Sequence, residues 1–255
     1  MAPAPVAGLP SARSQPARAG TAARSADVSH RLPGAVTAVS TADLLAEVYE
    51  RVTQVVRRPE TWARPTRTSW TVHELLAHLL LDARRALVTL STPADSLPDT
   101  DRVSYWRGFR PQDTDGARAH VALVRATAAA HPDPAALVDE WVETSRAAAH
   151  ACRVAEPDVL ATQGHAIATG DLVHTLLLEA TVHLLDLTVD VPDAPEPPDA
   201  ALAEVRSVLV PLARGPLPAG WDDLTAVLKG TGRSPLDDAD RAELGEQARL
   251  FPLLG

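Results

Sequence analysis

The sequence holds one cysteine, one lysine, few aromatic residues and no long apolar run. Each shortage excludes something. A single cysteine, Cys152, rules out a disulfide framework and a thiolate-only zinc site. It lies in the run "SRAAAHACRV", where a small buried hydrophobe is expected rather than a reactive thiol. Aromatics make up 4% of the chain, so its core must be aliphatic. No window approaches the roughly 18 uninterrupted apolar residues of a membrane-spanning helix. The first residues lack the apolar segment of a secretory signal, so a cytoplasmic location is expected. Period-two alternation is almost missing, so strands are not expected.

Apart from Lys229 the basic residues are arginines, and Ala and Pro are abundant, the composition of a GC-rich genome. The formal net charge of −9 gives no basic footprint for nucleic acid. Neither nucleic acid nor a membrane is an expected partner. A monomer or homodimer acting on small molecules is. Ala and Leu favour helix, and the 255 residues suffice for one sizeable core.

Residues 1–39 are rich in Ala, Pro, Ser, Arg and Gly without a periodic stripe. They are read as a disordered tail, although a start codon placed too far upstream would look the same. Order is expected from Ser40 or Thr41, which cap a helix with Leu44, Leu45, Val48, Val52 and Val55 on one face. Thr71 and Glu74 form a capping-box pattern opening a second helix. Residues 91–112 form a long connection with the aromatic cluster "SYWRGF". Helical runs follow over 114–130 and 134–153, as one kinked element or two. Asp133 and Pro134 mark the start of the second. Residues 154–168 read as a loop, and Thr169 or Asp171 opens the last strong helix. "VPDAPEPPD" at 191–199 reads as a linker to a small C-terminal domain over 200–255. The architecture is all-α: a four-helix bundle over 40–190 with a C-terminal appendage.

The helix "DLVHTLLLEATVHLLDLTVDV" is apolar all round, the pattern of a buried helix. Yet it carries Glu179 and His183 at i and i+4, one above the other. A carboxylate and an imidazole in apolar surroundings need a partner. A divalent metal is one, and a hydrogen-bonded Glu–His pair is another. A third donor would come from a neighbouring helix. His78, in "SWTVHELLAHLLLDARRAL", lies on the flank of its stripe, where both a bundle-facing ligand and a surface histidine fit; taken alone, a plain helix histidine is the commoner case, and Asp82 is one turn further on the same side.

Two segments carry a resemblance to a known family. "SWTVHELLAHLLLDARRAL" resembles the second-helix motif of the DinB-like superfamily, in its maleylpyruvate isomerase, mycothiol-dependent branch. "LLLEATVHLLDLTVDV" resembles that branch's fourth-helix pattern, and "LKGTGRSPL" its C-terminal regions. The resemblance runs over residues 40–255 in order and spacing. It implies a metal triad of His78, Glu179 and His183, beside which Asp186 either orients a ligand imidazole or makes an ordinary helix hydrogen bond, and Asp82 is a further candidate for a group supporting the ligands. It also implies a low-molecular-weight thiol, mycothiol, as co-substrate. Two imidazoles and one carboxylate leave open positions on an ion, as in a catalytic site. Zinc is the default, with nickel, iron and manganese as alternatives.

Weaker candidates surround this set. Arg233 in "GTGR" either closes a turn or meets an anionic substrate. Trp106, with Tyr105 and Arg107, either forms part of a lid or packs the surface loop, and His165 either lines the cleft or sits in a plain loop. The expected activity is thiol transfer to, or thiol-assisted isomerisation of, a small electrophile. The rival readings are a non-catalytic metal-binding or regulatory protein and a structural bundle without metal.

Overall fold

The computed structural model describes residues 39–107 and 115–254. The expected tail falls outside the described residues, except for its last position. So do positions 108–112 of the long connection.

Four helices build the bundle: α1 (Thr41–Val56), α2 (Val72–Leu90), α5 (Pro134–Val154) and α6 (Thr169–Leu187). Between α2 and α5 lie the one-turn α3 (Ser104–Arg107) and α4 (Asp115–Ala129). Helix α1 packs on α5 and α6, α2 on α5 and α6, and α4 lies against α2.

The helix starts follow local chemistry. Ser40 accepts a hydrogen bond from the Asp43 amide and caps α1. The capping box of α2 is complete: Thr71 Oγ1 accepts from the Glu74 amide, and Glu74 Oε2 accepts from the Thr71 amide. Asp133 caps α5, with Pro134 in its first turn. The two central runs are therefore separate helices.

The bundle core is aliphatic, as the scarcity of aromatics requires. Its fully buried members include Leu45, Leu75, Leu76, Leu80, Leu137, Leu177 and Leu184. One aromatic pair is set into it. Trp141 of α5 meets Tyr49 of α1 edge-on at 5.1 Å, and its indole N–H donates to Thr53 Oγ1 at 3.0 Å. Burying an indole this way leaves no unpaired polar atom.

Residues 154–168, read from sequence as a loop, instead contain a hairpin of β1 (Val159–Thr162) and β2 (His165–Ala168). Its two-residue turn, Gln163 and Gly164, has positive φ at both positions (48° and 85°). Such turns match the twist of paired strands. Four-residue strands are too short to show periodicity, which is why the pattern was silent. Isolated bridges from Pro93 and Thr100 add the 91–107 connection to the hairpin's edges.

Helix α6 is apolar all round because two cores share it. One side faces the bundle through Val173, Leu176, Leu177, Ala180, Leu184 and Leu187. The other, with Leu178 and Val182, joins a second core completed by Trp106 and by α7 (Asp199–Leu212), α8 (Asp223–Gly230) and α9 (Asp238–Leu244). Helices α7 and α8 pack closely: a Cβ added at Gly230 would lie 2.8 Å from Leu209 Cδ1. The irregular segment before α7 is tied down by arginines. Arg58 donates to the carbonyls of Pro192 and Asp193, and Arg64 and Arg51 donate to those of Asp190 and Glu196. Among the described residues no helix is long and apolar enough to cross a membrane.

Candidate metal centre

Glu179, His183 and Asp186 fall at i, i+4 and i+7 on α6. They form a polar stripe between the face buried in the bundle and the face buried in the second core. Helix α2 brings His78 and Asp82, also one turn apart, against this stripe.

Nε2 of His78 lies 3.1 Å from Nε2 of His183, which lies 3.1 Å from Glu179 Oε2. The three donor atoms are all within 4.8 Å of one another. Donors about 2.0–2.1 Å from one ion at tetrahedral angles are separated by about 3.3–3.4 Å. The His78–His183 and His183–Glu179 separations have about the size of a coordination edge.

The outer nitrogens strengthen the match. His183 Nδ1 is 3.0 Å from Asp186 Oδ2, and His78 Nδ1 is 3.2 Å from His120 Nε2. Each imidazole turns Nε2 to the shared centre and Nδ1 to a protein partner, the arrangement of metal-bound histidines. Asp186 is fully buried and paired with Arg233, whose Nε and Nη2 donate to its two oxygens at 3.1 and 2.9 Å. Asp82 places Oδ2 3.3 Å from His78 Nε2. That oxygen is buried and accepts no hydrogen bond. A polar atom left in that state has a reason, and an ion or ligand proton at the centre supplies one.

The charges divide unevenly over these groups. Burial, with the neighbouring His183, pushes His78 down to about 3. Burial acts on His183 in the same direction, but hydrogen bonds to Asp186 and Glu179 outweigh it and lift the group to about 9. Burial would raise Glu179, yet His183 holds it below the ordinary carboxylate value. Asp82 is pushed up to about 8 by burial and by the nearby Glu179 charge. Without an ion, the His183 proton balances the Glu179 charge and Asp82 keeps its own proton, so these protons occupy the positions a cation would take.

The other sequence candidates are placed as follows. Arg233 directs its guanidinium to Asp186 and to the Thr231 carbonyl. Trp106 is 3% exposed and packs in the second core with Leu178 and Val182. Tyr105 lies against Trp106 and accepts a hydrogen bond from Gln163. His165 stands exposed on β2 beside Asp99 Oδ1 at 3.1 Å. His174, on the side of α6 opposite His183, meets Arg102 and Glu204. His120 was not singled out from the sequence, although its spacing carries a signal. His120, Val124 and Ala128 fall at i, i+4 and i+8, and Val124 and Ala128 are the buried residues of α4.

A family model described as mycothiol maleylpyruvate isomerase N-terminal domain matches residues 42–188. No curated protein and no solved structure matches the chain. The match covers α1 through α6 and thus every candidate donor. With more than half of its length matched, the chain belongs to the mycothiol maleylpyruvate isomerase N-terminal domain family, a DinB-like, mycothiol-associated group.

Proposed function

We propose that His78, Glu179 and His183 hold a divalent ion, zinc first among candidates, and that the protein uses it to activate mycothiol against a small electrophile. The observation that carries this reading is the convergence of two Nε2 atoms and one carboxylate oxygen, each ring held from behind at Nδ1. An ion at that point favours the deprotonated form of a thiol sulfur beside it.

The chain's own residues do the rest. Asp186 accepts from His183 Nδ1, which fixes the orientation of the ring and aims Nε2 at the centre, where a bound ion would take the place of its proton. Arg233 neutralises Asp186, which is otherwise buried among apolar side chains. Asp82 offers a buried oxygen with unused acceptor capacity next to the donors; a bound cation would lower its raised pKa, and the carboxylate could then hold the proton of an arriving thiol. The described residues contain one thiol, that of Cys152. It is buried, and burial pushes it up to about 11. The nucleophile therefore comes from outside the chain.

A thiol adding to an activated double bond leaves a single bond free to rotate. Elimination then returns the thiol, giving cis–trans isomerisation, while displacement of a leaving group gives transfer. Elemental analysis of the purified protein, followed by an assay with mycothiol and maleylpyruvate, tests the proposal. Isomerisation without thiol consumption supports the isomerase, and stoichiometric thiol loss with an alternative electrophile supports a transferase. Bound metal with neither outcome leaves the non-catalytic metal-binding reading. Absence of metal before and after titration refutes the centre.

A further inference from the structure

Helix α4 stands outside the four-helix bundle, yet it places one side chain at the centre. His120 is half-buried, with Nε2 3.2 Å from His78 Nδ1 and the two rings nearly perpendicular at 85°. Trp70 flanks both, 5.1 Å from the His78 ring and 6.2 Å from that of His120. The position follows from the face that α4 buries, since His120 continues the Val124–Ala128 row one turn toward the N-terminus.

We propose that His120 is the positioning residue for His78, fixing its tautomer and ring orientation for metal binding. The inference rests on the metal reading above. An imidazole that binds an ion through Nε2 carries its proton on Nδ1. Nδ1 of His78 must then donate, and the atom facing it is His120 Nε2. His120 accordingly accepts at Nε2 and carries its own proton on Nδ1. The two ligand imidazoles are thus held by chemically different partners. His183 donates to a carboxylate on its own helix, itself balanced by Arg233. His78 donates to a neutral ring supplied by another helix. Trp70 limits the rotation of both rings, so the hydrogen bond aims Nε2 of His78 at the point shared with His183 and Glu179.

The experiment is zinc titration of the full chain against a chromogenic chelator at neutral pH, on wild type, His120→Leu and His120→Gln. Removing a partner of this kind weakens metal affinity by about 10- to 100-fold. His120→Leu should fall in that range. His120→Gln, whose amide oxygen accepts a hydrogen bond, should recover part of the loss. Nitrogen-15 spectra of the zinc-loaded wild type should show His78 protonated at Nδ1 and His120 unprotonated at Nε2, a readout independent of any variant's folding. Wild-type affinity in folded His120→Leu, or a proton on Nε2 of His120, overturns the role of His120 and leaves the metal centre standing. A wild-type chain that binds no zinc overturns both.

Discussion

Replacing His78 with Ala removes the imidazole that α2 brings to the centre and leaves Glu179 and His183, one turn apart on a single helix. Structural zinc sites with four ligands have apparent binding free energies of about 10–16 kcal/mol, or about 2.5–4 kcal/mol per ligand. At about 1.4 kcal/mol per power of ten, Kd should rise by roughly two to three orders of magnitude. Asp82, with Oδ2 3.3 Å from the lost nitrogen, sets the lower end of that range if it swings in. The same loss is visible in stability. With free ion at about 1,000 times the wild-type Kd, binding stabilises the native state by about 4.1 kcal/mol. For the variant at that concentration the figure falls to between about 0.4 and about 1.4 kcal/mol. Chelator competition gives the affinity, thermal melts with and without zinc give the stability, and circular dichroism confirms the fold. His174→Ala is the control, because that ring meets Arg102 and Glu204 on the far side of α6. A folded His78→Ala protein with wild-type Kd would refute the reasoning outright.

Further expectations follow from the same geometry. Arg233→Met leaves Asp186 buried without its cation and should destabilise the protein by about 3–5 kcal/mol in urea titrations; a change below about 1 kcal/mol contradicts the pairing. Asp186 is held below its ordinary value, with burial opposing and His183 and Arg233 prevailing, so its folded-state pKa lies below the unfolded one. The pair's stabilisation is therefore present above the normal aspartate range and lost as pH falls through the depressed folded value. The acid limb of the stability curve should flatten in Arg233→Met, and an unchanged limb counts against the assignment. Trp141→Ala removes a fully buried indole together with its bond to Thr53, and about 3–5 kcal/mol should be lost in the same titration. Cys152, pushed up to about 11, has roughly one thiolate in a thousand at pH 8. Iodoacetamide should label it slowly until denaturant is added, and rapid labelling of the native chain would show the thiol to be accessible.

What the sequence disclosed and what it concealed divide along the range of the interactions. Helix starts are local: a hydroxyl or carboxylate meets an amide two or three residues on. Ser40, Thr71 with Glu74, and Asp133 could therefore be read directly. The Glu179–His183 pair is also local, because helical spacing alone stacks i and i+4. That α6 is apolar on every other side announced its burial. It did not announce that two separate cores are responsible, since periodicity says nothing of what a face will touch. The hairpin at 159–168 was invisible for a related reason. Its strands are held by pairing with each other and with Pro93 and Thr100, not by any pattern within four residues. Convergence is the least local property of all. His78 alone reads more readily as a plain helix histidine than as a ligand, and only the packing of α2 sets it 3.1 Å from His183. Arg233, read as the end of a turn or an anion contact, lies 47 residues from the carboxylate it grips. His120 had the weakest signal, a histidine on a short apolar row of a helix outside the bundle. Donor atoms on one helix can be found by counting residues. Groups that orient those donors from other helices emerge only when packing brings distant faces together, and His120 and Arg233 are both of that kind.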